Sequence, residues 1–435
     1  MTRLALTIGS TLLACVFTAG IARAQDPPVA RQVLANGLTV LVRENSAAPV
    51  VAVSLQVRAG SLFETESTAG ITNFLQRAMV RGTARRSAVQ LATSAEDIGG
   101  IVDANAEIEA AEIRGHALAR HWETLLALVA DVALQPALRP DEVEKERRLV
   151  LGQIKARADA PFTFTLDVLL RELYGTNPYG RSQLGLKESV ERLTRDDLLA
   201  HYHAIYQADH MVLAVSGQVE RKAVVKAAER LFGRMARSGQ GTQAAPPVSE
   251  PPGERKVIAR PAQQAQILVG YLGPGLSDPL YPAARVLSAA LGGGMAGRLF
   301  VELRDRRGLA YSTAAFMPYR TGPTFLIAYL GTAPASAAAA EAGVLQELER
   351  VRAAPISGDE LARAKAYVHG QLVMDRRTNA RLAWYLAFFE TVGAGWDFPD
   401  RYARAIDAVT VEDVARAAER YLTRPTIVVL QPTAR

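Results

Sequence analysis

Cysteine is nearly missing from this chain: the one copy in 435 residues is Cys15, inside an apolar N-terminal stretch. If that stretch is removed, disulfides and thiol chemistry are excluded, and stability must come from a core, which a chain this long can build. Excess charge is scarce too. Lys and Arg outnumber Asp and Glu by only 50 to 44, and Arg3 and Arg23 belong to the same N-terminal stretch. A surplus that small and dispersed gives no case for nucleic acid and predicts a mixed, solvated surface. Beyond the N-terminus no run of about 18 apolar residues occurs, so no further membrane span is expected. The six histidines, among them His116, His121, His201, His203 and His210, bring no carboxylate or cysteine at ligand spacing. No nucleophile and base stand in a pattern that signals an independent hydrolase.

What the N-terminus does have is the form of a secretory signal over residues 1–24. Arg3 supplies the positive start, Leu4 to Ile21 is mostly apolar, and Ala22-Arg23-Ala24 has the small-x-small form of a cleavage site. Removal would leave Gln25 first and send the chain to the periplasm or the exterior. Two alternatives stay open. The run is long enough to serve as a retained anchor, and Leu12-Leu13-Ala14-Cys15 resembles a lipidation box, although the residues after Cys15 stay apolar.

The rest divides in two. Arg237 to Arg255 reads RSGQGTQAAPPVSEPPGER, rich in Gly, Pro, Ser and Gln without apolar periodicity, and predicts a linker. It separates residues 29–236 from 256–435, each of domain size. In the first half, Val50 to Val57 predicts a strand, Thr68 to Arg81 and Ala88 to Ile98 helices, and Ile101 to Asn105 and Ala110 to Ala117 strands. Helices from Trp122 to Leu134 and from Pro140 towards Ala158 follow, then a strand at Met211 to Ser216 and a helix at Ala223 to Phe232. The second half repeats the order. It has a strand at Ala265 to Leu272, a helix at Tyr281 to Leu291, the breaker Gly292-Gly293-Gly294 and a helix at Arg298 to Asp305. Strands near Ala310 to Phe316 and Thr324 to Leu330, helices at Pro334 to Ala353 and Gly358 to Met374, and a last strand at Ile427 to Leu430 complete it. The shared order predicts a diverged tandem duplication. Paired strands followed by grouped helices predict an α+β class: two similar domains, each an antiparallel-rich sheet with helices on one face.

The segment richest in chemistry is Gly70 to Thr83, GITNFLQRAMVRGT. Its frame of Gly70, Phe74, Leu75, Met79, Gly82 and Thr83 resembles the zinc motif of the pitrilysin/insulinase-type metallopeptidases, the inverted zincins with H-x-x-E-H. By that resemblance Asn73 stands at the first histidine, Gln76 at the general-base glutamate and Arg77 at the second histidine. Residues four apart share a helix face, so two imidazoles there can grip one ion. An amide is a poor zinc ligand, a guanidinium cannot deprotonate, and a glutamine cannot take a proton. Glu146 to Ile154, ERRLVLGQI, resembles the family's downstream helix; Glu146 keeps its supporting acid, while Gln153 stands at the third zinc ligand. Gly99 to Ala104, GGIVDA, resembles the stretch before the strand that pairs with peptide, but Asp103 replaces an asparagine. Met295 to Ser312, MAGRLFVELRDRRGLAYS, keeps the family's other signature, with Arg304 and Tyr311 matching an arginine–tyrosine pair that faces zinc and holds the substrate carbonyl.

The resemblance spans about Val29 to Thr433 and implies two similar α+β domains that form a clam-like pair facing each other across a peptide-sized cavity. It implies no cofactor on this chain, and zinc on a homologous partner. The expected function is that of a zinc-less subunit of an exported heterodimeric metallopeptidase, supplying Arg304 and Tyr311 in trans. The alternative is a peptide-binding or scaffold pseudopeptidase, paired with such a partner or with a second copy of itself.

Overall fold

The computed structural model describes residues 29–239 and 245–433. The expected signal and Cys15 lie outside them, as does part of the predicted linker. The first half contains β1 (Val29–Val33), β2 (Thr39–Glu44), β3 (Val50–Val57), α1 (Ile71–Met79), α2 (Ala88–Glu96), β4 (Ile101–Ala106) and β5 (Ala111–Leu118). It continues through α3 (Trp122–Leu134), α4 (Pro140–Asp159), α5 (Pro161–Tyr174), α6 (Lys187–Arg192), α7 (Arg195–Ile205), β6 (Met211–Gly217) and α8 (Arg221–Phe232). The second half contains β7 (Arg255–Pro261), β8 (Ala265–Gly273), α9 (Tyr281–Gly292), a π-helical stretch at Phe300–Arg306, β9 (Ser312–Phe316) and β10 (Thr324–Thr332). Then come α10 (Ala337–Ala353), α11 (Gly358–Asp375), α12 (Asn379–Thr391), α13 (Phe398–Ala408), α14 (Val411–Tyr421) and β11 (Thr426–Thr433).

The two sheets have one plan. The first runs β1-β2-β6-β3-β5-β4 and the second β7-β11-β8-β10-β9. Without the extra β1, they superpose strand for strand in order. In each, one pair is parallel (β2 with β6, β7 with β11) and the other neighbours are antiparallel. That identity supports the expected duplication.

A strand that is buried throughout must be covered on both faces. In β3 every residue after Val50 is buried, and in β8 every residue but Leu272. Each half's own helices cover one face. The other face is covered by a helix of the opposite half. Leu169 and Leu173 of α5, from the first half, pack on Leu268, Ile327 and Val428 of the second sheet. Ala383, Leu386 and Ala387 of α12, from the second half, pack on Leu41, Ala52 and Ala214 of the first. The approach is close enough that a Cβ on Gly270 of β8 would stand 3.0 Å from the Leu169 side chain. Since α5 and α12 occupy matching places in the element order, the exchange is reciprocal. The expected helix-on-one-face layering therefore holds for each half's own elements, and the borrowed helix adds a layer on the other face of each sheet.

Candidate functional site

Helix α1 packs on β4 and β5 and against α4 and α7. Its start is held by Glu64, a buried carboxylate that accepts the N–H groups of Gly70 and Thr72 at 2.7 and 2.9 Å. Gly70 caps the helix at φ 92°, where a Cβ would meet Gly185. Burial pushes the Glu64 carboxyl upward, against those N–H bonds.

The four degenerate positions come to two helices. Asn73, Gln76 and Arg77 lie on α1 and Gln153 on α4. Asn73 is buried, and its Nδ2 has no protein partner. Gln76 is fully buried and turned inward, donating to the Tyr206 hydroxyl at 2.7 Å. Arg77 donates its Nε to Glu146 Oε2 at 3.1 Å, and Gln153 is exposed. Glu146 itself is wholly buried and also receives Arg81, whose Nε lies 2.9 Å from Oε1. Sequence reasoning had placed Glu146 but missed Arg81. Its spacing of four from Arg77 was the available signal, since both project from one helix face.

These donors do not fit zinc. Two amides and a guanidinium stand where imidazoles and a carboxylate would coordinate, and Glu146 is taken up by two arginines. His201 meets Thr72 of α1 at 3.0 Å, and burial pushes its pKa down to about 4. Among the described residues no group of three His, Cys, Asp or Glu side chains is placed to hold a metal ion.

Strand β4 is the free edge of the first sheet. Its outer main-chain groups are available for an added strand, the usual mode of extended-peptide capture. Asp103 sits on this strand with its carboxylate 3.0 Å from Arg114 Nη2 on β5. The next cross-strand row is Gln56, Glu112 and Asn105, in register across β3, β5 and β4. It is oddly unsatisfied: Gln56 Oε1 and Nε2, Glu112 Oε2 and Asn105 Oδ1 are buried without hydrogen-bond partners, with only Arg114 Nη1 4.0 Å from Glu112 Oε2. Ser54 Oγ donates to the other Glu112 oxygen at 2.5 Å.

Burial pushes the Glu112 carboxyl up to about 7, with the Ser54 bond and Arg114 acting the other way. The folded chain therefore keeps a proton that the unfolded chain releases. This group's contribution to stability is whole below pH 4.5 and is lost as pH rises to about 7. Glu112→Gln keeps an acceptor for Ser54 and adds an N–H for the unpartnered oxygens beside it. We expect its urea midpoint to exceed that of the unsubstituted chain at pH 8, with the gap closing at pH 5. An equal gap at both pH values would show that Glu112 is ionised throughout.

The second-half pair lies at the matching edge. Arg304 is in the π-helical stretch, exposed, with its guanidinium 4.9 Å from the Phe300 ring centroid. Tyr311 leads into edge strand β9; its N–H bonds Gly331 O at 2.9 Å while its side chain is 61% exposed. Neither side chain makes a hydrogen bond or ion pair to the protein among the described residues. The helix α9 ends against this strand so closely that a Cβ on Gly292 would stand 2.1 Å from Ala315 N.

Comparison with known proteins follows this geometry. Residues 39–186 match the model of the insulinase family, peptidase family M16, and residues 192–368 match that of the peptidase M16 inactive domain. An uncharacterized zinc protease of Mycobacterium leprae is 31% identical over 406 residues, covering 92% of this chain and 91% of that one. One from Rickettsia bellii is 27% identical over 390 residues, covering 89% and 93%. Among solved structures, a protease from Helicobacter pylori superposes with a TM-score of 0.87 at 20% identity, covering 94% of this chain and 100% of its own. The peptidase M16 inactive domain from Pseudomonas fluorescens gives 0.86 at 23%, covering 93% and 98%. With its two matching sheets, and with both halves matched by the models of one family, the chain belongs to the insulinase-type peptidases, family M16.

Proposed function

We propose that the chain is the zinc-less subunit of an exported heterodimeric metallopeptidase. It supplies Arg304 and Tyr311 to a site whose zinc a homologous partner brings. One observation carries this reading: Asn73, Gln76, Arg77 and Gln153 offer no zinc-ligating group, while Arg304 and Tyr311 stand exposed and unengaged. A cation and a phenol hydroxyl are the donors that steady a developing oxyanion. The free edges β4 and β9 would hold peptide in extended form. The partner's zinc would supply the activated water. Among the described residues no helix is long and apolar enough to cross a membrane.

The Asp103–Arg114 ion pair on the β4 edge favours a second reading, a peptide-binding or scaffold pseudopeptidase with no part in proteolysis. One experiment separates the two. Zinc content and peptidase activity are measured on the purified chain alone, and then with a zinc-bearing homologue from the same source. The expected result is neither zinc nor turnover alone, with co-elution and turnover after mixing. Stoichiometric zinc on the chain alone would overturn both readings. A self-dimer that binds peptide and ignores the homologue would support the scaffold.

A further inference from the structure

The degenerate site is not merely vacant of ligands; its polarity is reversed. Asn73 and Arg77 share one face of α1, four residues apart. Asn73 offers a buried Nδ2 with no protein partner. Arg77 spends its Nε on Glu146, and neither of its Nη groups bonds the protein among the described residues. Arg81, one turn on, is 39% exposed and shares the same carboxylate. Two guanidiniums thus face one buried carboxylate, which leaves a positive charge unmatched. The neighbouring Arg147 adds nothing to this excess, because Glu144 neutralises it at 2.9 Å. Gln153 on α4 adds an exposed amide.

We propose that this spot receives a carboxylate of an extended peptide, either its C-terminal group or an Asp or Glu side chain. The inference rests on reading the chain as a peptide-holding partner subunit. The chemistry follows from the donors. A guanidinium presents N–H groups in a fork that matches two carboxylate oxygens, and such charge-assisted bonds are the strong ones. Asn73 supplies a third N–H from the same helix face. The α1 helix also packs on β4, so a peptide laid along that free edge passes close to the donors. A group that draws cations in an active relative would draw anions here, anchoring one end of the peptide.

The test uses the purified chain alone and fluorescein-labelled peptides of one neutral sequence. One peptide ends in a free carboxylate, a second is amidated, and a third is amidated with one internal Glu. Binding is read by anisotropy at low salt. The free acid, the internal Glu peptide or both should bind about tenfold tighter than the neutral amide, and which of them does so identifies the source. Arg77→Gln, which leaves Arg81 on Glu146, should bring all three to parity. Asn73→Leu, which removes the third donor without burying a charge, should narrow the preference as well. Equal binding of all three peptides by the unsubstituted chain, no binding of any, or a preference that survives Arg77→Gln would overturn the inference. None of these results bears on whether a zinc-bearing partner is activated, so the two proposals fail separately.

Discussion

Arg304→Ala in the assembled complex should lower kcat/KM by about 10²- to 10³-fold, the usual cost of losing one donor to a developing oxyanion. The loss should fall on kcat, because the donor acts on charge that appears only in the transition state. The isolated chain should hardly register the change. Arg304 is exposed and makes no ion pair, only the ring contact with Phe300, and such surface substitutions usually stay within about 0.5 kcal/mol. Tyr311→Phe, which removes one hydroxyl from a side chain already 61% exposed, should follow the same pattern. Steady-state kinetics of the mixed complex decide the matter. Full activity in both variants would mean that the pair takes no part in catalysis.

The second large effect concerns stability. Removing both Arg77 and Arg81 should destabilise the chain by about 3–5 kcal/mol, because it strands a buried carboxylate without a cation. Glu146 is wholly buried, whereas Arg77 and Arg81 are 26% and 39% exposed. The asymmetry predicts the order of effects. Either arginine alone should cost less, since the other keeps Glu146 paired. Adding Glu146→Gln to the double variant should restore much of the loss by removing the charge that was stranded. Urea unfolding of the four chains measures each step. A double variant no worse than the sum of two mild singles would mean that water reaches Glu146.

Sequence reading succeeded where chemistry is local. Helix α1, the π-helical stretch with Arg304, and strands β3, β4, β5, β6, β8 and β10 were all foreseen to within a few residues. It failed where an element is defined by what lies across from it. Helix α12, NARLAWYLAFFET, is buried at ten of its thirteen residues and so has no polar face to set a period. Its role on the first sheet depends on residues far away in the chain. The same holds for α5 on the second sheet. β7, RKVIARP, is charged and largely exposed, and is a strand because β11 pairs with it in parallel. The predicted linker was accordingly drawn one residue into it, to Arg255. The unsatisfied row of Gln56, Glu112 and Asn105 was invisible because three separate strands build it.

The exchanged helices α5 and α12 also set where movement can occur. Among the described residues, neither half can swing away from the other without stripping an apolar sheet face from the helix that covers it. If the chain pairs with a homologue as proposed, a chamber between them would open along the seam between the two subunits rather than between the halves of this chain. A cut in the connecting segment around residues 237–255 would leave two fragments still clasped by their borrowed helices.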